Sequence, residues 1–252
     1  STREWEDMQY QQVINKQHLP RVMFFAAVGT PVRGSFVDEN GQAGEIDFDG
    51  SICMQSLAEV RKPRHRSKHL DKDVEYFFPV TMNKAKFVQL LKEQVLMVAL
   101  KKVGHWASEI RIQFDSAGGH GGGAADLNRT LVPELNSWAK AYVAEHHHRA
   151  VQVTFLAQPS RSPDMNVLDL GAWWSLQAPV LRARLARVDG SKYNMFECII
   201  RTVLNTWEKW FERKTLAKLW EVLPRVMRQV VQARGGNRFN ISHKAGKKRQ
   251  RS

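Results

Sequence analysis

Short apolar runs of strand character alternate in this chain with stretches of helical periodicity, and this order constrains the fold most strongly. Apolar residues that are continuous, or that alternate with polar ones, predict strands near 21–29, 45–54, 109–115 and 151–157. Helical spacing covers 83–103, 131–145, 164–177, 192–213 and 215–233. This order is typical of an α/β domain, in which helices cover the faces of a sheet. We therefore expect the four strands to form one mixed sheet flanked by helices.

Turn and cap signals mark the ends of several elements. Asn40-Gly41 predicts a tight turn between two extended arms. Thr81 or Asn83 is the candidate N-cap of the first long helix, and Gly104 is its expected end. These signals place the first long helix after the β-rich part of the chain.

Composition narrows the class of protein. The 252 residues are 43% hydrophobic and 25% charged, which fits a globular chain and excludes collagen-like, disordered and membrane classes. Cys53 and Cys198 form no CxxC motif, as expected in a reducing compartment, and no signal peptide or membrane span is apparent. We divide the chain into a polar lead-in (1–20), an α/β domain (21–180), helices (181–235) and a basic tail (236–252).

The positive charge is concentrated in two places. The net charge of +13 comes from 38 Lys and Arg against 25 Asp and Glu. Segments 61–68 and 244–252 each contain five basic residues and no acid, and the first is expected to form a long loop that extends to Pro79. Such concentration favours a polyanion, most simply nucleic acid, over the alternative of a solvated loop and a frayed tail. The candidate DNA-binding residues are Arg61, Lys62, Arg64, Arg66, Lys68, Lys247, Lys248 and Arg249.

Two aspartates lie where a sheet could bring them together. Asp115 closes a strand before a glycine-rich turn, and Asp169 lies just inside the helix that follows the next strand. Paired carboxylates of this kind are the hard oxygen ligands that Mg²⁺ or Mn²⁺ needs. A metal held there can activate water or a 3′-hydroxyl for phosphodiester cleavage. On spacing alone, caps and turns are the commoner use of aspartates at loop edges.

The segments around these acids resemble two motifs of mariner-type DDE transposases. QFDSAGGH (113–120) is similar to Q-x-D-N-A-x-x-H, and QPSRSPDMNVLD (158–169) is similar to Q-P-x-x-S-P-D-x-N-x-x-D/E. The third acid of the motif is aspartate here, and in this the chain resembles the plant-type mariner-like elements, which have a DDD catalytic domain. The segments RVMFFAAVGTPV and FDGSI also resemble that group. The resemblance covers about residues 20–180. It implies a ribonuclease-H-like fold, with Asp115 and Asp169 as catalytic, metal-binding acids for Mg²⁺ or Mn²⁺.

The chain departs from the family pattern in three respects. Ser116 replaces the motif's Asn, and the 53 residues between the two acids exceed the interval in the family. The family's first aspartate lies on a strand before the one matched by RVMFFAAVG, and no such strand pattern precedes Arg21. Neither Asp7, in a polar stretch, nor Asp49, in an FDG turn, suits that role. The first catalytic strand is therefore not identifiable, and we expect a chain truncated at its N-terminus, without the family's helix-turn-helix region.

Several other residues have simpler interpretations. The run 118–123 lacks the Gly-Lys-Ser/Thr ending of a phosphate-binding loop, so a flexible turn is expected. Adjacent histidines at 146–148 point in different directions on a helix, which favours a solvated helix end over a metal site. Asp164 is expected to cap the helix that carries Asp169, and His120 is left unassigned. Most of the tryptophans in the helices after residue 170 are expected to pack in the core, and base stacking by one exposed member is the alternative. These tryptophans are Trp173, Trp174, Trp207, Trp210 and Trp220.

These patterns together predict a transposase-derived DNA-binding protein. Its intact relatives would cleave and join double-stranded DNA with divalent metals, and with two acids in place of three we expect little or no cleavage here. The alternative is a catalytically inactive transposon remnant or a domesticated DNA-binding module. The basic tail resembles a nuclear import signal, so a nuclear location is expected. The helices after residue 190 offer an interface for a homodimer.

Overall fold

The structure is a computed structural model that describes residues 21–38, 40–66, 71–146, 150–160, 162–185, 192–210 and 213–235. It has a mixed α/β fold. The strands are β1 Phe24–Val28, β2 Val32–Val37, β3 Ala43–Phe48, β4 Ser51–Ser56, β5 Ala58–Arg61, β6 Tyr76–Pro79, β7 Glu109–Phe114 and β8 Gln152–Ala157. The α-helices are α1 Lys84–Leu90, α2 Met97–Val103, α3 Ala124–Arg129, α4 Leu131–His146, α5 Trp173–Leu185, α6 Lys192–Trp210 and α7 Arg213–Gln232.

The strands are arranged in small sheets. Strands β1 and β4, β2 and β3, and β5 and β6 form antiparallel pairs, whereas β7 and β8 are parallel, with Phe114 opposite Ala157. The expectation that 109–115 and 151–157 share a sheet is confirmed. The expectation of one mixed sheet is wrong for the described residues, because the strands there form four separate two-stranded sheets.

The predicted strand over 45–54 is wrong as a single element, because a turn at Asp49-Gly50 divides it into β3 and β4. An Asp49 carboxylate oxygen accepts a hydrogen bond from the Ser51 N–H at 2.8 Å, and Gly50 has a φ of +88°. This turn role agrees with the interpretation of Asp49 as a turn residue.

The hairpin expected at Asn40-Gly41 is present between β2 and β3. The Asp38 carboxylate accepts hydrogen bonds from the N–H groups of Asn40 and Gln42. The long loop expected up to Pro79 is wrong in part, because β5 and β6 pair there. The Arg61 guanidinium lies 3.8 Å from the centre of the Phe78 ring, a cation–π contact that helps to hold this pair together.

The first long helix is confirmed as a continuous helical stretch from α1 to α2, joined by a π-helical segment at Leu91–Leu96. The Asn83 side chain caps it by accepting from the Lys86 N–H at 2.9 Å, and Gly104 follows its last turn. The flexible turn expected over 118–123 is wrong in part. A 3-10 turn at Gly118–His120 is followed closely by α3.

Three apolar clusters hold the elements together. The largest joins α1, α2 and α4 to one face of β7 and β8. In the second cluster, Val167 and Leu170 pack against α7. In the third cluster, α5 packs against α6 and against the face of β1 that points away from the first cluster. No helix in the described ranges is both long and apolar enough to cross a membrane.

Candidate functional site

Asp115 stands at the end of β7, directly after the last paired residue of the parallel sheet. Phe114 is buried opposite Ala157, so the strand is fixed up to the residue before the acid. The Asp115 side chain is 52% exposed, which leaves its carboxylate accessible to a ligand.

Asp169 lies in the first turn of the π-helical segment Leu168–Ala172, which leads into α5. Asn166 lies just before this helical stretch; its side-chain oxygen accepts from the Leu168 N–H at 2.9 Å and its carbonyl oxygen accepts from the Asp169 N–H at 3.1 Å. Asp164 was expected to be the cap, and this is wrong, since Asp164 lies in the preceding 3-10 turn at Pro163–Met165. Asn166 takes the capping role because its side chain reaches the N–H two residues on.

The two acids share one electrostatic environment. Partial burial raises the pKa of the Asp169 carboxyl, and the negative charge of Asp115 raises that pKa further. A hydrogen bond from the Asn166 side chain acts in the opposite direction, and the charge of Asp164 adds a smaller increase. Asp115 and Asp169 also line the same cavity of about 610 Å³. The structure therefore brings the two predicted site acids together.

Hydrogen bonds tie the two acid-bearing segments to each other. The Gln113 side-chain amide donates to the Met165 carbonyl oxygen at 2.9 Å. Gln158 is 4% exposed, and its amide donates to the Ser162 carbonyl oxygen. The Ser116 hydroxyl donates to the Gln158 carbonyl oxygen at 3.3 Å. These contacts fix the loop between β8 and Asp169 against the end of β7.

Gln113 and Gln158 begin the two motif segments, but the sequence pattern alone did not indicate a role for either side chain. The structure shows that Gln113 and Gln158 position the loop that carries Asp169. The signal available in the sequence was their place at the start of the two motif segments. Ser160 adds a further link, since its hydroxyl accepts from the Ala124 N–H at 3.1 Å and so anchors α3.

His120, left unassigned from the sequence, is a buried positioning residue. Its ring stacks on Phe87 with centroids 3.7 Å apart and planes within 5° of parallel. Its Nδ1 lies 2.8 Å from the Asp115 carbonyl oxygen and 3.2 Å from a carboxylate oxygen of the same residue. Because a carbonyl oxygen can only accept, Nδ1 carries the proton and donates to it. His120 thereby holds the backbone and the carboxylate of Asp115 in place.

No larger cluster of potential metal ligands is present in the described residues. Within those ranges no group of three or more His, Cys, Asp or Glu side chains is placed to hold a metal ion. Asp49 lies in its turn, Asp7 lies outside the described residues, and so do two of the three adjacent histidines. His146, the third, stacks on Tyr142 at 4.4 Å.

The basic segment 61–68 is partly neutralised by nearby acids that the sequence pattern did not reveal. Arg61 pairs with Glu59 at 2.9 Å, Lys62 with Glu75 at 3.5 Å and Arg66 with Asp71 at 3.0 Å. Arg64 is exposed. The remaining predicted DNA-binding residues lie outside the described residues; they are Lys68, Lys247, Lys248 and Arg249.

The tryptophans divide between packing and exposure. Trp207 is buried and stacks with Trp173 at 6.4 Å, while the Trp220 indole N–H donates to the Gly29 carbonyl oxygen at 2.9 Å. Trp174 is 77% exposed, which leaves it as the candidate for base stacking among the described members of the set. The Trp210 side chain lies outside what the structure describes.

The chain matches no protein-family model, and a search of curated proteins found no match.

Proposed function

We propose that this protein is a DNA-binding protein derived from a mariner-type transposase, with a ribonuclease-H-like core. The observation that carries the proposal is the meeting of Asp115 and Asp169 beside one cavity. One acid follows a strand of the parallel pair, and the other begins the helix after the second strand. The hydrogen bonds of Gln113 support the same interpretation, since its amide donates to Gln158 Oε1 and to the Met165 carbonyl oxygen and so joins the two segments that resemble the transposase motifs.

Asp115 and Asp169 are the residues that would hold Mg²⁺ or Mn²⁺. The donor set fits a hard cation in part, because two carboxylates repel each other here and a divalent ion between them would remove that repulsion. Such an ion would activate water or a 3′-hydroxyl and stabilise the leaving oxygen. The chain's own residues orient the pair: His120 fixes Asp115, and Asn166 fixes the start of the segment with Asp169.

The DNA part of the proposal rests on the basic segment 61–68 and the basic tail. The ion pairs of Arg61, Lys62 and Arg66 are all at the surface, where such pairs contribute little to stability. These side chains can therefore exchange an acidic partner for a phosphate at small cost.

A nuclear location and a homodimer through the helices after residue 190 belong to the same proposal, and sedimentation velocity tests the dimer.

The test of DNA binding is a salt titration of affinity for a duplex of mixed sequence. We expect a steep fall of affinity with salt, because each phosphate contact contributes about 0.9 to the slope of log affinity against log salt. Replacing the five basic residues of 61–68, or those of 244–252, by Gln should reduce the slope by at most about 4–5 units.

A charge-matched control keeps both segments and replaces five exposed basic residues elsewhere, namely Arg33, Lys86, Lys101, Lys140 and Arg225. The control should keep most of the slope. Equal slopes for the original chain and both segment variants would show that these segments are merely solvated surface. Weak sequence preference is expected, since phosphate contacts do not read bases.

A strand-cleavage assay distinguishes an active enzyme from the alternative, a catalytically inactive module. With Mg²⁺ or Mn²⁺, we expect this chain to show little or no cleavage of duplex DNA, because two acids hold a metal pair poorly where three are needed. Gel analysis of a labelled duplex is the measurement, with Asp115→Ala as the paired variant. Robust cleavage that disappears in Asp115→Ala would contradict this expectation and restore the enzyme.

A further inference from the structure

The pair of strands β5 and β6 places an aromatic ring and a guanidinium on one exposed face. Glu59 is opposite Phe78 and Arg61 is opposite Tyr76, so these four side chains share a face of the pair. Arg61 and Phe78 are diagonal neighbours on that face, which long and aromatic side chains can bridge. Phe78 is 38% exposed, and both Arg61 and Glu59 are exposed as well. The face therefore presents a cation and a ring to solvent where the basic segment 61–68 begins.

The Arg61 guanidinium is held from two directions. Its central carbon lies 3.8 Å from the centre of the Phe78 ring, so the group packs against the face of that ring. Its Nε and Nη2 atoms both donate to one carboxylate oxygen of Glu59, at 3.2 Å and 2.9 Å. These contacts occupy one face and one edge of the guanidinium. The side chain is still 43% exposed, which leaves the opposite face of the guanidinium open to solvent.

We propose that this outer face of Arg61 is a stacking platform for one unpaired base of single-stranded DNA. A guanidinium is planar, delocalised and weakly hydrated, and it stacks on nucleobases as it does on aromatic side chains. Phe78 and Glu59 hold the group in place before a ligand arrives, so little conformational entropy is lost on binding. Stacking leaves the hydrogen bonds to Glu59 intact. This inference rests on the proposed DNA binding and adds a base contact to its phosphate contacts.

The open face of a guanidinium selects an unpaired base over a paired one. In a duplex, neighbouring bases cover both faces of each base, and a protein meets only phosphates, sugars and base edges. An unpaired base offers a free face, and this contact tolerates any sequence because every base has one. Lys62 and Arg64 follow Arg61 directly and are exposed, so they can contact the phosphates on either side of the base. Cations beside a stacking surface are the combination that binds single strands.

A purely structural role for the Arg61–Phe78 contact makes a different prediction. Such a role needs no open face on the guanidinium, and exposed cation–π contacts and ion pairs add little to stability. If the contact only holds β5 against β6, the chain should not distinguish two strands that carry the same phosphates with and without bases. If Arg61 is a platform, the strand with bases should bind more tightly.

The test measures the affinity of the full chain for three labelled probes by fluorescence anisotropy. The probes are oligothymidylate of about ten nucleotides, an abasic strand of the same length and a duplex of mixed sequence. We expect oligothymidylate to bind about fivefold or more tightly than the abasic strand, which has no base to stack. Both affinities should fall with salt while their ratio stays constant, because stacking releases no counterions. The Nε–H NMR signal of Arg61 should shift with oligothymidylate, through the ring current of the base, and not with the abasic strand.

A matched pair of variants locates the stacking. Arg61→Lys keeps the charge and removes the planar group, so the ratio of the two affinities should fall to about one. Arg33→Lys is the control and should keep the ratio, since Arg33 is also an exposed strand residue paired with an aspartate, Asp47, at 3.5 Å. Thermal unfolding shows that both variants are folded, and the comparison of probes with the original chain needs no variant.

The outcomes separate this proposal from the proposed function. Equal affinities of the original chain for oligothymidylate and the abasic strand would overturn the platform, and a steep salt dependence would leave the proposed DNA binding standing. Binding to none of the three probes would contradict both proposals. A ratio that is unchanged in Arg61→Lys would place the stacking elsewhere, for instance on Trp174, and would overturn the assignment to Arg61. Binding of oligouridylate RNA about tenfold more tightly than oligothymidylate would assign the platform to RNA and would also overturn it.

Discussion

At the scale of single residues, the acid pair is shaped by what surrounds each carboxylate. Asp115 and Asp169 are both exposed, and partial desolvation and the negative charge of Asp115 together raise the pKa of Asp169. A partly desolvated carboxylate beside another negative charge is destabilised in its charged form. This arrangement suits a site for a cation better than it suits a purely structural role.

The first prediction concerns this interaction. Asp115→Asn removes the negative charge that acts on Asp169, so the pKa of Asp169 should fall toward its ordinary value of 3.8. The titration of the Asp169 carboxyl carbon by NMR is the measurement. Asp126→Asn serves as a control, because Asp126 is an exposed residue paired with Arg129. A pKa of Asp169 that is the same in Asp115→Asn and in the original chain would show that the two acids do not interact.

The same shift has a consequence for stability. The folded-state pKa of Asp169 lies above its ordinary value, so the folded chain binds this proton more tightly than the unfolded chain does. Protonation of Asp169 therefore contributes stability that is fully present below pH 3.8. This stability is lost as the pH rises through the raised pKa of Asp169 in the folded chain. At neutral pH the charged Asp169 opposes folding, and denaturant unfolding of Asp169→Asn should show a gain in stability there.

At the scale of elements, tight turns decide where the strands of the β-rich part end. Gly50 and Gly41 both have positive φ values, +88° and +79°. A Cβ atom on Gly50 would lie 2.5 Å from the Gly29 carbonyl oxygen and 2.4 Å from Leu216 Cδ2, whereas one on Gly41 would meet nothing within 4 Å. The β3–β4 turn is therefore tied to both its neighbouring strand and α7.

The third prediction uses these glycines as a matched pair. Gly41→Ala should cost about 1–2 kcal/mol, the usual penalty of a left-handed residue with a Cβ. Gly50→Ala carries that penalty and a further 1–3 kcal/mol from overpacking, because backbone stands in the way. Chemical denaturation gives both values. Equal losses for the two variants would mean that the Gly29–Gly50 contact is readily relaxed.

The helices and strands could be predicted from the sequence more completely than the way in which the strands pair. The helical stripe from Phe87 to Val103 and the Asn83 cap are local, and so they were visible in the pattern. The π-helical segments, the break at Gly50 and the β5–β6 pair were missed, since each depends on geometry or on partners distant in the sequence. The proximity of the two acids was predicted from their positions after strands and from the motif resemblance. The role of Gln113 was not, because its partner Met165 is 52 residues away.

At the scale of the whole molecule, the helices after residue 190 are packed on the site-bearing part of the chain. Leu216, Leu223 and Val226 of α7 form a buried cluster with Val167 and Leu170, on either side of Leu168–Asp169. The Trp220 indole also donates to the carbonyl oxygen of Gly29, the residue directly after β1. The division at residue 180 drawn from the sequence therefore cuts through a shared apolar core.

The last prediction follows from this packing. Leu216 is fully buried, and Leu216→Ala should cost about 2–5 kcal/mol through lost apolar burial and the cavity left behind. Val231→Ala on the same helix is the control, since Val231 is 76% exposed and its loss should be close to zero. If α7 and the α/β part fold as one unit, Leu216→Ala shifts a single unfolding transition seen equally by tryptophan fluorescence and by exchange of the β7 amides. Two separate transitions, with β7 unaffected, would make the carboxyl-terminal helices an independent domain and support the boundary at residue 180 instead.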